Sequence, residues 1–162
     1  MIKLIRCDDR LIHGQCVTQI IPIYGIKSII AIDNATASNA MLKKIFIMAA
    51  PAGVKTVVAT EDESIPLIQA ALQDAVPTLI LMRVPTLMER LLKECPGLPK
   101  DLNVASVPKR PNLEMTELYP GIFFSSEEIS AARRMAADGV HIWLQKVPNS
   151  TLLEWENIQN KL

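Results

Sequence analysis

Aromatic residues are scarce in this 162-residue chain: only 4% of its positions are Phe, Trp or Tyr. Few flat side chains are left on which unpaired bases can stack. Seventeen basic residues are cancelled by seventeen acidic ones, so no net field draws in a polyanion. Both observations argue against nucleic acid as a partner. Cysteine is sparse as well. Cys7, Cys16 and Cys95 are odd in number and include no Cys-x-x-Cys pair, which argues against a disulfide framework. A zinc site built from Cys7, His13 and Cys16 matches no common ligand spacing and lacks a fourth ligand, so no metal is expected. The longest apolar region, residues 20–32, is broken by Lys27 and too short to span a bilayer. At the N-terminus, Met-Ile-Lys-Leu-Ile-Arg runs into Asp8 and Asp9 before the apolar core of a signal peptide can form. The expectation is a cytoplasmic chain with one domain spanning residues 1–162.

What the chain does have is aliphatic bulk. Hydrophobic residues make up 49% and charged residues 21%, enough to bury one sizeable core. Short runs rich in β-branched residues read as strands at Ile2–Cys7, Ser28–Ile32, Lys55–Ala59, Thr78–Met82, Leu102–Ser106, Gly121–Phe124 and Val140–Lys146. Several are apolar at nearly every position, as strands buried on both faces are. Segments of helical period separate them, near 14–22, 39–50, 62–74, 87–94, 126–138 and 152–161. Thr86 with Glu89, Ser125 with Glu128 and Thr151 with Glu154 have capping-box spacing. Gly139 suits a left-handed helix stop and Pro51 ends the second helix. Met41 and Met48, at helical spacing, read as core. Residues 107–118, with Pro108, Lys109, Arg110 and Pro111, read as a surface loop. The alternation implies a three-layer α/β/α fold with a mostly parallel central sheet of about six or seven strands.

Open sheets of this kind form their sites beyond the carboxyl ends of strands. That rule singles out Arg6-Cys7-Asp8-Asp9-Arg10-Leu11-Ile12-His13-Gly14-Gln15. His13 is one of two histidines in the chain. A neutral imidazole is a competent nucleophile because its reference pKa is about 6.5. The planar donors of Arg10 match phosphate oxygens. The N–H groups of Gly14, Gln15 and Cys16, opening a helix, form the positive end of its dipole. Asp8 or Asp9 can fix the ring tautomer or hold Arg10. Arg6 closes the strand, where it can also reach solvent. The same residue types also suit a solvated turn with capping chemistry. His141 alternates with Trp143 along a strand and reads as structural or surface-facing.

The run Arg6 to Gln15 resembles the phosphorylation-site motif of one family. It looks like that of the IIB components in the mannose/fructose/sorbose class of the bacterial phosphoenolpyruvate-dependent sugar phosphotransferase system. The usual form there is Arg-Ile-Asp-Asp-Arg-Leu-Ile-His-Gly-Gln, so Cys7 is the departure within the motif. The likeness extends to Met48-Ala49-Ala50-Pro51-Ala52-Gly53-Val54, and to Gly139-Val140 with Gln145-Lys146-Val147-Pro148. It implies that His13 accepts a phosphoryl group at Nδ1 from a phosphohistidine on a IIA partner. His13 would then pass it to a sugar taken up by membrane IIC and IID components, with the domain peripherally associated with that permease. It implies Arg10 as the charge-stabilising residue, Asp9 as its nearest polar support, Gly14, Gln15 and Arg6 around the phosphate, and no metal or organic cofactor. Two segments depart from the pattern. Asn103-Val104-Ala105-Ser106 stands where relatives usually carry Asn-Ile-Gly-Gly. Leu81-Met82-Arg83-Val84-Pro85 replaces the usual Phe-Thr-Asn-Pro, with Arg83 read as a surface charge. The first departure keeps a rival open: a non-catalytic anion-binding or regulatory module that retains the fold without relaying phosphate. Base rates for small enzymes favour a homo-oligomer.

Overall fold

Three of the expected strands coincide with observed ones to the residue in a computed structural model that describes residues 1–162. In chain order, β1 (Ile2–Asp8) leads into helical turns through residues 14–24. These comprise a π-helical segment, Cys16–Ile20, that passes directly into α1 (Ile21–Tyr24). Next come β2 (Ser28–Ile32), α2 (Asn34–Ala37), α3 (Ala40–Ala49), β3 (Lys55–Ala59), α4 (Glu61–Gln73), β4 (Thr78–Met82), α5 (Leu87–Glu94) and β5 (Asp101–Ser106). The chain closes with β6 (Met115–Tyr119), β7 (Ile122–Ser125), α6 (Ser126–Ala137), β8 (His141–Leu144) and β9 (Leu153–Glu154).

The main sheet has seven strands in the order β3-β2-β4-β1-β5-β8-β9, all pairs parallel except β8 with β9. Helices cover both faces, so each face buries its own cluster. Leu4, Ile29, Ala31, Leu79 and Leu81 pack beneath residues 14–24 and Phe46. Ile5, Cys7, Ile30, Ile80 and Met82 pack on the side of α4, α5 and α6. Alternation along β1 therefore puts Leu4, Arg6 and Asp8 on the first face. The chain leaves β1 toward that face, whereas it leaves β4 and β5 toward the other. A crevice opens where the two directions diverge, at the carboxyl end of β1.

Four expectations need correction. The stretch read as loop contains β6, which pairs antiparallel with β7, so Ile122–Ser125 forms a separate two-stranded hairpin rather than a central strand. Pro120 and Gly121, the latter at φ +78°, make the turn between them. The C-terminal helix is absent. β9 and two 3₁₀ turns, Trp155–Asn157 and Gln159–Lys161, take its place because Trp155 is buried against Phe124 at 6.3 Å and donates to Gln159 Oε1. Of the capping boxes, Ser125 with Glu128 forms, as does Thr60 with Glu63, which the spacing analysis passed over. Thr86 makes no cap, since Glu89 is held by Arg134, and Glu154 turns to His141. Finally, Met41 and Met48 are 74% and 72% exposed; it is Phe46 of α3 that reaches the core.

Candidate functional site

The loop after β1 turns tightly. The Leu11 N–H donates to the Asp8 carbonyl at 3.0 Å, closing a four-residue turn. Leu11 takes a left-handed conformation, φ +53°, which costs a non-glycine residue roughly 1 kcal/mol. Its side chain is fully buried, as is that of Ile12 nearly so, and burying one such side chain returns about 2 kcal/mol. The two apolar residues thus anchor the loop while Asp9, Arg10, His13, Gly14 and Gln15 stay toward solvent. A second tie joins the loop to β5, from the Asp9 N–H to the Ser106 carbonyl at 3.1 Å. The first helical bond runs from Val17 N–H to the His13 carbonyl. The N–H groups of Gly14, Gln15 and Cys16 are left as the free first-turn donors.

Asp8 is the hub of the site. Its carboxylate is fully buried, with Oδ2 2.9 Å from His13 Nε2 and 3.1 Å from Arg6 Nη2. Oδ1 accepts from the Arg10 backbone N–H and from Arg10 Nε, both at 3.2 Å. Burial pushes this carboxyl up, but the hydrogen bond with His13 and the charges of Arg6, His13 and Arg10 outweigh it and hold it at about 2. Asp8 is therefore an anion near neutral pH and can only accept, which puts the proton of the His13 ring on Nε2. Nδ1 is left with its lone pair free and has no protein partner. Beneath the hub, Arg6 is 1% exposed and donates to Asn103 Oδ1 at 2.6 Å, to Asp8, and to the Lys146 carbonyl at 2.7 Å. Asn103 is in turn fixed by donating to the Gln145 carbonyl at 3.2 Å.

The expected residues converge, with two changes of role. His13, Arg10, Gly14 and Gln15 share one loop, and both terminal nitrogens of Arg10 lie 3.4 Å from Gln15 Oε1. Arg6 does not reach the surface: every bond it makes is internal, so it supports Asp8 instead of contacting a phosphate. Asp9 is not the support of Arg10. Asp8 does that, and the Asp9 carboxylate accepts from Ser106 Oγ at 2.5 Å. Parity carries the signal that separates the two aspartates, because Asp8 shares a face with Arg6 and Asp9 does not. Burial pushes the Cys16 thiol up to about 11 and raises the Cys7 thiol well above its ordinary value, so neither is a thiolate near neutral pH. Arg83 lies apart, paired with Asp33 Oδ2 at 3.3 Å and set over the Phe46 ring. Arg110 is likewise paired, with the buried Glu128. His141 is exposed at the start of β8, between Asp101 and Glu154, each at 2.7 Å.

Beside the loop lies a cleft of about 390 Å³, walled by Asp9, Arg10 and Gln15 on one side and by Ser106, Lys146 and Ser150 on the other. Sequence reasoning passed over Lys146 as a site residue. Its place just beyond β8, the neighbour of β5, is the feature that marks it.

A family model described as PTS system sorbose subfamily IIB component matches residues 2–162. The PTS system fructose-specific EIIB component of Bacillus subtilis (strain 168) is 25% identical over 149 residues, 91% of this chain and 89% of that protein. The PTS system mannose-specific EIIAB component of Escherichia coli (strain K12) is 25% identical over 162 residues. That alignment takes in all of this chain and 49% of the relative, so the chain spans about half of that longer protein. Among solved structures, the IIBSor domain of the sorbose permease from Klebsiella pneumoniae superimposes with a TM-score of 0.87 at 23% identity, over 99% of this chain and 95% of that one. That likeness is one of fold. The manxB structure from Thermoanaerobacter tengcongensis gives 0.81 at 29% identity, over 99% and 96%.

Proposed function

Since the chain belongs to the sorbose subfamily of phosphotransferase-system IIB components, we propose that His13 Nδ1 carries a phosphoryl group from a IIA phosphohistidine to a sugar. The observation that carries this reading is the 2.9 Å contact between His13 Nε2 and a buried, ionised Asp8. It leaves Nδ1 as the nucleophile and gives the ring a counter-ion when it becomes charged.

In the first half-reaction the Nδ1 lone pair attacks phosphorus. The bond to the donor nitrogen breaks with its electron pair returning to the donor. The proton stays on Nε2, donated in a hydrogen bond to Asp8, so the phosphorylated ring is cationic and the Asp8 carboxylate balances it. In the second half a sugar hydroxyl oxygen attacks, the P–Nδ1 pair returns to Nδ1, and the hydroxyl proton leaves to water. The transition state is loose, so catalysis is mainly positioning and charge stabilisation. Arg10, held at Nε by Asp8 and 43% exposed, would exchange the weak 3.4 Å contacts of its terminal nitrogens with Gln15 for the oxygens of the transferring group. The first-turn N–H groups of Gly14, Gln15 and Cys16 add the positive end of a helix. The sugar reaches this protein through membrane IIC and IID partners, and no helix of the chain is long and apolar enough to cross a membrane itself.

The test is labelling from phosphoenolpyruvate with enzyme I, the histidine phosphocarrier and a IIA protein. His13→Ala abolishes the label and His141→Ala keeps it. Reversible phosphate binding without a covalent, alkali-stable adduct, from active upstream proteins, would replace the carrier with an anion-binding module.

A further inference from the structure

No residue of α3 is buried, and its outer side is apolar. Met41, Ile45 and Met48 recur at helical spacing and are 74%, 53% and 72% exposed. Leu42 and Ile47 beside them are exposed as well, while Phe46 reaches the core. A contiguous apolar stripe of this kind marks a surface that meets something other than water. Charge says what it meets. Residues 10–60 supply the helical segments that cover the first face of the sheet. Within them Asp33 is the one acidic residue, against Arg10, Lys27, Lys43, Lys44 and Lys55. Asp33 is already paired with Arg83. None of the four lysines forms an ion pair. The Lys55 N–H donates to the Lys27 carbonyl at 2.9 Å, so those two sit together where the chain returns from α3. The acids gather elsewhere: α4, on the other face, opens with Glu61, Asp62 and Glu63. Glu63 and Asp74, whose charges reach Lys43 and Lys55, are engaged in the capping box of α4 and with Met1. A chain of zero net charge is thereby divided, with a basic, apolar side built from one stretch of sequence.

We propose that this side rests on an anionic lipid surface, with Met41, Ile45 and Met48 dipping toward the acyl chains and Lys43 and Lys44 at the headgroup phosphates. At ten residues α3 is about 15 Å long, too short to span the hydrocarbon but able to lie along it. Lysine stems beside an apolar stripe carry their ammonium groups to headgroup level. The lysines add diffuse attraction and the aliphatic side chains add shallow insertion, two signals that together give reversible attachment. Other occupants fit less well. Two copies of this chain set stripe to stripe would oppose Lys43 and Lys44 to like charges. A protein docking site centres on Trp, Tyr and Arg, with lysine depleted. By contrast, α3 exposes no large aromatic side chain and has no arginine. The inference uses neither His13 nor the carrier reading, and the contact is with lipid itself, not with a permease protein.

The experiment is flotation of the full chain with lipid vesicles and no other protein. The vesicles are phosphatidylcholine alone, or phosphatidylcholine mixed with phosphatidylglycerol. The expected result is partition onto the mixed vesicles, little onto phosphatidylcholine, and release as salt rises. Lys43→Gln combined with Lys44→Gln should weaken partition about fivefold per lysine. Met41→Ser combined with Met48→Ser should weaken it about tenfold. Both double variants should melt as the parent does, since none of the four side chains is buried. Lys93→Gln combined with Lys161→Gln changes net charge equally but lies on α5 and in the last turn, away from this side. It should partition as the parent does. Three results would overturn the inference: no partition at any phosphatidylglycerol content, an equal loss in the Lys93 and Lys161 variant, or partition that the methionine variant leaves intact. Binding of polyglutamate as tight as that of the mixed vesicles would assign the surface to an acidic protein instead. A dimer seen by sedimentation without vesicle binding, and dissolved by Met41→Ser with Met48→Ser, would assign it to a second copy.

Discussion

Replacing Asp8 by asparagine keeps the size of the side chain and removes the one charge that faces Arg6, Arg10 and His13 together. Two routes give the cost. A carboxyl held at about 2, against an ordinary value near 3.9, contributes about 2.6 kcal/mol of stability near neutral pH. Removing one partner from a buried ion pair costs about 3–5 kcal/mol, because the cation left behind, here Arg6 at 1% exposure, is uncompensated. The expected loss for Asp8→Asn is therefore about 3 kcal/mol, or roughly 6–12 °C in Tm for a chain of this size. The pH dependence has a definite sign. The folded value lies below the unfolded one, so the contribution is complete above about pH 4 and disappears as pH falls through about 2. Urea unfolding of both proteins across that range reads the effect directly. The gap between them should narrow steadily on acidification. A variant as stable as the parent near pH 7 would refute the hub assignment. A gap of constant size down to the acid limit would mean that shape, not charge, is what the hub supplies.

Three further outcomes follow from the same geometry. Ser106→Gly removes the hydroxyl that holds Asp9 and should cost about 1 kcal/mol, with faster hydrogen exchange at the Asp9 amide as the local readout. Ser125→Ala breaks the capping box of α6 and should also cost about 1 kcal/mol by thermal melting, leaving the Arg110–Glu128 pair in place. His141 has its pKa raised, first by the hydrogen bond to Asp101 and also by Glu154. Its contribution is thus complete below the ordinary histidine value and is lost as pH rises through the folded one. His141→Ala should cost less than about 1 kcal/mol at mildly acid pH, since the pair is half exposed. At a pH well above the folded value it should cost nothing measurable, as chemical denaturation across the alkaline range will show.

The parts legible in the sequence are those with local signals. Parallel strands buried on both faces, such as Ser28–Ile32 and Thr78–Met82, are apolar at nearly every residue. The ordered sequence of strand and helix leaves few topologies open. The loop from Asp8 to Gln15 was legible as a unit for the same reason: its charges, histidine and glycine lie within one turn. What was hidden depends on contacts far apart in the chain. Arg6 read as a strand-end charge because Asn103 and the Lys146 carbonyl, which bury it, lie 97 and 140 residues away. Asp9 read as the support of Arg10 because Ser106, its actual partner, is also 97 residues distant. The C-terminal segment has the composition of a helix, and only the burial of Trp155 against Phe124 makes it a strand and two short turns. In β6 the alternation of Met115–Tyr119 was masked by the prolines and charges just before it.

The central claim is that Asp8 fixes the proton on Nε2 of His13 and leaves Nδ1 to take the phosphoryl group. The direct measurement is the ¹⁵N spectrum of the His13 ring in the phosphorylated protein, with its coupling to ³¹P. The account predicts phosphorus bonded to Nδ1 and a proton on Nε2, with the tautomer preference lost in Asp8→Asn. Phosphorus on Nε2, or an unphosphorylated ring whose proton sits on Nδ1, would contradict it.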